Sequence, residues 1–547
     1  MNLASRFIDS KIQFSSYDEF HKGFRLKIPR DFNFVRDVVD VYAQQAPNKT
    51  ALIWCDDEGN EKTFTFKELS RQIRALAASL ALKGIKKGNV VMLALHRRYE
   101  YWLFVLALNI LGAVVLPVPS QLHAYDFKHR IQASDAKMVV AAPFQDCINQ
   151  LEKAAAQIPV ELVSVNFEKE GWTSYKALKA LVNTGGENNP LPDFDFPSPE
   201  APMIMYYTSG TTDKPKLVVH DGFYPLSHII TAKYWQCVKE DGLHYSAAET
   251  GWAKASWGKL YGQWIMGCAV FVYDRQSFNP EALLEKIQKY RVTSFCATPT
   301  LYRYLLNADF SKYDLSSLEH CTCAGEALSE NIYKGFLEKT GLRIYEGYGQ
   351  TETSLLAANF CFSGSREAED TCGSMGRFSP LYDLVLLDEN DKECEPGVCG
   401  EIAIKLGKSS AVGLMQAGFN SEYYRTGDLA VKDNDGRLWF SGRNDNIIKS
   451  SGFRISPLEI ESVLQKHPCV SECLVYGEND EQRGQVVKAL VVPAHGCSTG
   501  TALEQELMNF MHKETALYKC PRKIEFVKSL PKTYNGKIRR FIHNDEK

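Results

Sequence analysis

Short apolar runs alternate with segments of helical periodicity up to about residue 300 of the sequence. Residues 90–95 (VVMLAL) predict a strand, residues 99–111 a helix, and residues 113–118 the next strand. Strands that are separated by helices pair in parallel, and helices then cover both faces of the sheet. The alternation therefore predicts an α/β fold. Further strands are expected at residues 138–142, 160–165 and 203–207.

The pattern changes twice in the C-terminal part of the chain. Residues 384–387 and 400–404 are short strands between turns, which predicts a β-rich subdomain over about residues 380–442. Strands and helices then mix again over a stretch of ordinary domain size. We expect a large N-terminal domain over residues 1–442, with two parallel-type αβαβα subdomains and the β-rich subdomain, and a small α+β domain over residues 443–547.

The composition excludes several classes of protein. With 547 residues, 45% hydrophobic residues and a formal net charge of −3, the chain resembles a soluble globular protein with several cores. A charge this close to neutral gives no reason to expect a nucleic-acid partner. Residues 101–118 are about long enough to cross a bilayer, but Asn109, Gly112 and Pro117 interrupt them. We therefore expect a buried helix and a core strand there, and no stable membrane insertion.

The N-terminus and the cysteines both favour a cytoplasmic location. Residues 1–20 lack the apolar run of a secretory signal, and they contain acidic residues, which organelle presequences avoid. The 15 cysteines are scattered, and close pairs such as Cys321/Cys323 and Cys469/Cys473 match no zinc-binding spacing with partner histidines. We expect reduced thiols, mostly in the core, rather than a disulfide framework.

A cluster of hydroxyl and ammonium groups follows the predicted strand at residues 203–207. Residues 207–216 read YTSGTTDKPK, and the hydroxyls and backbone N–H groups of such a turn can converge on an anion. Lys214 and Lys216 can neutralise its charge, which suits a polyphosphate. The segment is not the G-x-x-x-x-G-K-[ST] nucleotide loop. The alternative is a polar surface turn.

Two further turns contain small residues where a ligand can approach the backbone. Residues 347–353 read GYGQTET, and Glu352 is a natural Mg²⁺ ligand if a triphosphate binds beside it. Gly325, Glu326 and Ala327 follow a probable strand and can lie against a flat base. The alternative for these three residues is an ordinary turn at the end of a strand.

Four charged residues stand near predicted turns in the last quarter of the chain. Asp428, in YRTGDL, can accept hydrogen bonds from the two hydroxyls of a ribose. Arg443 and Asp445 lie on a polar link before the last domain, where Asp445 is otherwise a turn-stabilising residue. Lys537 follows an Asn-Gly turn in a basic tail, and a tail lysine is usually only solvated.

Together these motifs resemble the adenylate-forming acyl-CoA synthetases, and the segment GWAKASWGKLYGQW from Gly251 resembles the medium-chain members of that family. The resemblance implies that a carboxylic acid reacts with ATP to give an acyl-adenylate and pyrophosphate, after which CoA takes the acyl group and AMP leaves. Mg²⁺ is the implied cofactor, and the implied substrate is a medium-chain, branched or aromatic acid. Two alternatives stay open: an acyl-AMP ligase that loads a carrier-protein thiol, and a noncatalytic nucleotide-binding homologue. Monomer and homodimer are both open.

The resemblance also assigns residues to the nucleotide. Gly325, Glu326 and Ala327 flank adenine, Thr351 and Glu352 contact the α-phosphate and Mg²⁺, and Asp428 and Arg443 hold the ribose. Tyr348, Gly349 and Gln350 belong to the same site. The loop residues Thr208, Ser209, Gly210, Thr211, Thr212, Lys214 and Lys216 enclose the β- and γ-phosphates.

In the family the small domain rotates between two catalytic arrangements. Lys537 is then the catalytic lysine that bridges carboxylate and phosphate oxygens during adenylation, and Asp445 is the hinge. After rotation, a different segment faces CoA. The residues assigned to CoA are Ser450, Ser451, Gly452 and Arg454.

Gly349 gives the one indication of acid size. Acetyl-CoA synthetases carry a bulky Trp at this position, so glycine implies a deeper acyl cavity. Tyr207, Trp252 and Trp257 are the expected lining, since such pockets are largely apolar. The alternative is that all three are core aromatics.

The sequence departs from the family pattern at two positions. Asp213 stands where the family usually has Gly, which places a negative charge beside the expected triphosphate. Asn446 replaces a frequent second Asp after the hinge. Neither change removes an expected catalytic group, so we interpret Asp213 as a modulator of ATP affinity.

Overall fold

The computed structural model describes residues 3–182, 192–208, 216–362, 372–407, 412–416, 421–450, 453–480 and 483–532. The strands are β1 Thr50–Asp56, β2 Glu61–Thr65, β3 Val90–Ala94, β4 Val114–Pro117, β5 Ala136–Ala141, β6 Glu161–Ser164, β7 Thr173–Ser174, β8 Pro202–Thr208, β9 Lys216–Asp221, β10 Leu243–Ser246, β11 Ala269–Asp274, β12 Ser294–Ala297, β13 His320–Ala324, β14 Ile344–Gly349, β15 Leu355–Ala358, β16 Arg377–Phe378, β17 Leu384–Leu387, β18 Cys399–Lys405, β19 Tyr423–Lys432, β20 Leu438–Arg443, β21 Ile448–Ser450, β22 Phe453–Ile455, β23 Val470–Asp480, β24 Gly484–Pro493 and β25 Lys523–Phe526.

The α-helices are α1 Tyr17–Gly23, α2 Asp40–Gln45, α3 Phe66–Leu82, α4 Glu100–Leu111, α5 Ala124–Ser134, α6 Gln145–Ala155, α7 Tyr175–Ala180, α8 Tyr224–Ile230, α9 Ala253–Gly258, α10 Tyr261–Ile265, α11 Pro280–Tyr290, α12 Pro299–Leu305, α13 Glu330–Thr340, α14 Pro457–Leu464 and α15 Thr501–Glu514. Val35–Val39 and Thr231–Trp235 are π-helical turns, and Leu3–Arg6, Phe310–Lys312, Asn444–Asn446 and Leu517–Lys519 are 3₁₀ turns.

Two large sheets form most of the chain up to residue 378. One has the strand order β7-β6-β5-β3-β4-β8-β9, and the other β16-β15-β14-β13-β12-β10-β11-β1-β2. Their central strands pair in parallel, whereas the edge strands β9, β2 and β16 pair antiparallel with their neighbours. The α/β prediction is confirmed, because a parallel crossover connection usually needs a helix between paired strands.

The apolar stretch at residues 101–118 is part of the core. Helix α4 is buried on every side, which is why it lacks a polar face. Trp102 on this helix donates a hydrogen bond of 2.7 Å from Nε1 to the carbonyl oxygen of Lys259. Gly112 ends the helix with a left-handed φ of +65°, and β4 follows. Within the described ranges, no helix combines the length and the apolar character that crossing a membrane requires.

A smaller antiparallel sheet, β17-β18-β19-β20, follows the two large sheets. A fourth sheet has the order β22-β21-β24-β23, with β25 beside β24, and α14 packs against it. Arg303 on α12 reaches this last sheet, because its Nη1 lies 3.1 Å from Glu472 Oε1 on β23. The domain limits at residues 442 and 443 stay a prediction.

The last sheet also corrects one expectation about the cysteines. Cys469 and Cys497 are joined by a disulfide, so the expectation of reduced thiols is wrong for these two. The pairing could not be seen in the spacing, because the two residues flank the β23–β24 hairpin and meet only when its strands pair. The other 13 cysteines are free, and most of them are buried.

Candidate active site

Strands β13 and β14 are parallel neighbours, so the turns at their carboxyl ends lie at the same edge of the sheet. Gly325 follows β13 with a φ of +98°, which favours glycine. Glu326 is turned toward α12, where its Oε2 accepts a hydrogen bond of 2.7 Å from Thr300 Oγ1. Lys254 on α9 donates a hydrogen bond to the carbonyl oxygen of Ala324. This turn is therefore held by side chains that the motif alone did not identify.

The GYGQTET and YRTGDL motifs meet at Asp428. Its Oδ2 accepts a hydrogen bond of 2.7 Å from the Tyr348 hydroxyl and one of 2.6 Å from Gln350 Nε2. Gln350 Nε2 also donates to the carbonyl oxygen of Thr426, and its Oε1 accepts from the Tyr424 hydroxyl. Two segments that are distant in sequence thus form one hydrogen-bonded unit.

Arg443 lies beside this unit. Asp428 and Arg443 are direct partners in the β19–β20 ladder, and their side chains approach to 3.5 Å between Oδ1 and Nη1. Asp445 accepts from Arg443 Nε at 3.1 Å. Burial raises the pKa of the Asp428 carboxyl, and Tyr348 and Arg443 oppose that rise. Asp428 Oδ1 therefore has a cation on one side and acceptor capacity left for a ligand hydroxyl.

The hairpin β8–β9 places Thr208 directly opposite Lys216. Hence these two residues, which flank the polar loop, stand side by side at the loop end of the hairpin. Residues 209–215 lie outside the described residues, so Ser209, Gly210, Thr211, Thr212, Asp213 and Lys214 stay predictions.

His220 on β9 links this hairpin to Glu352. It donates a hydrogen bond of 2.7 Å from Nε2 to the Thr351 carbonyl oxygen, and its ring stacks on Tyr224 at 4.0 Å. Burial lowers the pKa of His220 to about 4, so the imidazole is neutral at pH 7 and Nε2 carries the single hydrogen. The sequence analysis missed His220, because in the sequence it is only a polar residue near the end of an apolar strand.

The Glu352 side chain is half-buried and close to two cations. Burial raises the pKa of its carboxyl, and Arg443 and Lys216 oppose that rise. The backbone carbonyl of Glu352 accepts a hydrogen bond of 2.8 Å from Met415 N. Met415 thus fixes the backbone of Glu352, while its carboxylate feels one cation from the β8–β9 hairpin and one from the β19–β20 ladder.

The structure corrects the expected acyl lining at Tyr207. Successive side chains of a strand point to opposite faces, and Tyr207 packs against α5, with its ring 5.0 Å from the Arg130 guanidinium. Tyr206 faces the other way, and its hydroxyl is 2.6 Å from Ser256 Oγ, next to Trp257. Tyr206, not Tyr207, therefore shares a core cluster with Trp257.

Gly349 and Trp257 are in direct contact. A Cβ atom at position 349 would lie 2.5 Å from Trp257 Cη2 and 2.3 Å from the Ser354 carbonyl oxygen. The Trp257 ring thus lies directly beside the backbone of Gly349, and the deeper acyl cavity stays a prediction. Trp252 precedes α9 and is half-buried.

Of the residues assigned to CoA, the structure describes Ser450 at the end of β21 and the backbone of Arg454 on β22. Ser450 is buried and pairs with Phe453 in the β21–β22 hairpin and with Gly484 on β24. Ser451, Gly452, the Arg454 side chain and Lys537 lie outside the described residues. Lys532 precedes Lys537 in the chain and contacts Glu472 at 2.9 Å.

Comparisons with known proteins identify the family. A model described as AMP-binding enzyme matches residues 39–413, and one described as AMP-binding enzyme C-terminal domain matches residues 459–537. Acyl-coenzyme A synthetase ACSM3, mitochondrial, of Mus musculus is 34% identical over 96% of this chain and 92% of its own length. Acyl-coenzyme A synthetase ACSM5, mitochondrial, of Rattus norvegicus is 36% identical over 94% of this chain and 90% of its own.

Solved structures give the same result. The anthranilate CoA ligase AuaEII in complex with anthranoyl-AMP has a TM-score of 0.82 at 26% identity, over 93% of this chain and 96% of that one. The Brucella canis acyl-CoA synthetase has a TM-score of 0.72 at 27% identity, over 96% and 98% of the two chains.

These relatives also correct the expected location. The cytoplasmic prediction is wrong, because the ACSM3 and ACSM5 relatives are mitochondrial proteins by name. The prediction depended on acidic residues near the N-terminus, and that composition does not decide the compartment. Family membership does not depend on the compartment: with one family model covering most of the chain and relatives aligned over nearly all of it, the chain belongs to the AMP-binding enzyme family.

Proposed function

We propose that the protein is an AMP-forming acid:CoA ligase whose nucleotide lies between the β8–β9 hairpin and Asp428. The observation that supports this site most strongly is the hydrogen bond from Gln350 to Asp428, which joins two motifs with different expected roles. Around it stand a half-buried carboxylate, Glu352, and two cations, Lys216 and Arg443. A nucleoside triphosphate offers ribose hydroxyls to Asp428 and Arg443 and phosphate oxygens to Lys216.

The first step needs only that the protein position the reactants and offset the negative charge that develops. A carboxylic acid is ionised at pH 7 and attacks the α-phosphorus without a general base. A bond forms between a carboxylate oxygen and the α-phosphorus as the bond from this phosphorus to pyrophosphate breaks. The negative charge moves to the oxygens of the departing pyrophosphate. Lys216 offsets that charge, while Asp428 and Arg443 fix the ribose, so catalysis comes from positioning and electrostatics.

Mg²⁺ fits the residues present. Glu352 provides an oxygen donor beside Lys216, and Mg²⁺ in nucleotide sites is typically held by one or two carboxylates together with phosphate oxygens. The Thr351 hydroxyl is the second oxygen donor that we assign. When bound, the ion neutralises charge on the phosphate oxygens.

The second step transfers the acyl group to the thiol of CoA. Thiols have a pKa near 8.5, so a fraction is thiolate at neutral pH. We assign Ser450, Ser451, Gly452 and Arg454 to CoA and Lys537 to the first step, with Asp445 as the hinge between the two arrangements. This assignment is supported by the family resemblance and by the short 3₁₀ turn at Asn444–Asn446, which links β20 to β21.

We assign the acid to the region of Gly349, Trp257 and Trp252, and its class to medium-length, branched or aromatic acids. The contact of Trp257 with Gly349 makes this aromatic ring the group that an acyl chain must pass or displace. A mitochondrial location is part of the proposal, since the ACSM relatives carry that name.

A screen of carboxylic acids in an ATP/pyrophosphate exchange assay tests the proposal. We expect acid-dependent exchange, and CoA-dependent release of AMP with the same acid. Lys537→Ala is expected to lose exchange but to keep transfer from supplied acyl-adenylate to CoA. ATP binding with no exchange for any acid would contradict the proposal, and exchange without CoA turnover would point to a carrier-protein thiol as acceptor.

A further inference from the structure

Three side chains with metal-binding atoms meet at the end of the nine-stranded sheet that lies opposite the candidate active site. Cys237 follows the π-helical turn Thr231–Trp235, His320 begins β13, and Cys361 follows β15. One ligand atom from each residue lies within 4.8 Å of the other two. The Gly325 turn follows the other end of β13, about 15 Å away at about 3.3 Å per residue. The cluster is therefore separate from the nucleotide site.

The backbone around the cluster holds the three side chains in place. Cys361 N donates a hydrogen bond of 2.8 Å to the Tyr234 carbonyl oxygen, which ties the two cysteine-bearing segments together. The His320 ring stacks on Tyr345 with centroids 4.6 Å apart and an interplanar angle of 10°. His320 Nε2 also contacts the Trp235 carbonyl oxygen, and a metal-binding histidine is commonly oriented by such a hydrogen bond from its other ring nitrogen.

An oxygen donor adjoins the same place. The Trp235 carbonyl oxygen lies 2.7 Å from His320 Nε2 and 3.8 Å from Cys237 Sγ. The cluster thus has two sulfurs, one imidazole and a neighbouring carbonyl oxygen. Sites with three protein ligands complete a tetrahedral shell with an oxygen, usually from water.

The donor set selects a soft ion. Thiolates and imidazole favour Zn²⁺ or Cu⁺ over Mg²⁺, and two thiolates balance the charge of Zn²⁺. Zinc–sulfur bonds of about 2.3 Å place two tetrahedral sulfurs about 3.8 Å apart. Because the observed separations are at most 4.8 Å, closing the shell requires each pair to approach by no more than about 1 Å. All three residues are half-buried, so an ion can reach them from solvent.

We propose that Cys237, His320 and Cys361 bind a thiophilic metal ion, for which Zn²⁺ is the probe. The ion would tie the segment before β10 to β13 and to the end of β15. The sequence did not indicate the site, because its three ligands are far apart in the chain and only sheet pairing brings them together.

Zinc stoichiometry tests this proposal on the full-length chain. Protein freed of metal with a chelator is titrated with Zn²⁺ and analysed by mass spectrometry of the metal, and Co²⁺ replaces Zn²⁺ for absorption spectroscopy. We expect one ion per chain and a sulfur-to-cobalt charge-transfer band. Cys237→Ser, His320→Gln and Cys361→Ser are each expected to weaken binding by more than the roughly 10–100-fold typical of losing an outer-shell partner. Cys399→Ser, at an exposed cysteine elsewhere, is the matched control and keeps the ion.

A second measurement uses only the natural sequence. Zn²⁺ is expected to protect Cys237 and Cys361, but not Cys399, from alkylation by iodoacetamide, as mapped on peptides. Equal labelling with and without Zn²⁺, or a Cys237–Cys361 disulfide in place of metal binding, would overturn the proposal. Neither readout depends on the acid:CoA ligase reaction, so this proposal and the proposed function can fail independently.

Discussion

Gln350 and Asp428 are joined by a hydrogen bond of 2.6 Å, although one follows β14 in the nine-stranded sheet and the other lies on β19 in the smaller sheet. The bond fixes the position of a buried carboxylate next to Arg443. In our account this carboxylate receives the ribose, so its charge and orientation decide how well the nucleotide is held.

Asp428→Asn is expected to weaken adenylation without unfolding the protein. The amide keeps the shape of the side chain but removes a charged acceptor, and hydrogen bonds to charged groups contribute about 1.5–3 kcal/mol. At 1.4 kcal/mol per tenfold, ATP/pyrophosphate exchange should fall about 10- to 100-fold in kcat/KM for ATP. Asp435→Asn, in an exposed turn before β20, is the control and should leave exchange unchanged. Equal exchange activity of the two variants would show that Asp428 does not hold the nucleotide.

Gly349→Ala is expected to destabilise the protein by about 1–3 kcal/mol, the usual cost of overpacking. The added methyl group meets both the Trp257 ring and the Ser354 carbonyl oxygen. Denaturant unfolding measures the change. Gly335→Ala is a matched control, because that glycine lies inside helix α13 and its nearest neighbour is a flexible Leu306 methyl group. This control should be as stable as the parent protein or slightly more stable, since alanine favours helix.

His220 should make the folded state sensitive to mild acid. Burial lowers its folded pKa to about 4, whereas an unfolded histidine titrates near 6.5. Between those values the unfolded chain binds more protons, so stability decreases as the pH falls from about 6.5 to 4. The loss from this one group is about 3 kcal/mol below pH 4.

The His220→Gln variant isolates that contribution. Glutamine can still donate to the Thr351 carbonyl oxygen but does not titrate, so the free energy of unfolding should vary less steeply with pH than in the parent protein. His495→Gln, at an exposed loop position, should keep the parent slope. An unchanged slope in His220→Gln would show that other buried histidines, such as His228 and His244, carry the effect.

Glu472→Gln should loosen the contact between the last sheet and α12. Glu472 accepts from both Arg303 and Lys532, and surface pairs of this kind contribute up to about 1 kcal/mol each. Cleavage near residues 444–446 in limited proteolysis should become about 2- to 5-fold faster, in line with that energy. Glu459→Gln removes a comparable pair, with Lys519, inside the last domain and should not change cleavage. Identical cleavage rates for both variants would show that Glu472 does not hold the last sheet against α12.

The fold class could be predicted because alternating strands and helices leave a periodic pattern that parallel sheets require. The same pattern could not assign the faces of β8, since an apolar run buried on both sides does not show whether Tyr206 or Tyr207 faces Trp257. His220 was missed for a related reason: its role depends on the carbonyl of Thr351, in the turn between β14 and β15 of the other large sheet.

The motifs were identified one at a time, and their contacts are tertiary. Nothing local in YRTGDL indicates that Gln350 binds Asp428. Likewise, Cys237, His320 and Cys361 carry no spacing signal, and the Cys469–Cys497 disulfide depends on the pairing of β23 with β24. Residue chemistry was visible in the sequence, whereas proximity required the fold.

The most direct test of the central claim is a crystal structure of the protein with a nonhydrolysable ATP analogue and Mg²⁺. We predict that the ribose hydroxyls lie within hydrogen-bonding distance of the Asp428 carboxylate and that the phosphates lie at the loop between Thr208 and Lys216. A nucleotide bound away from both Asp428 and this loop would contradict the account.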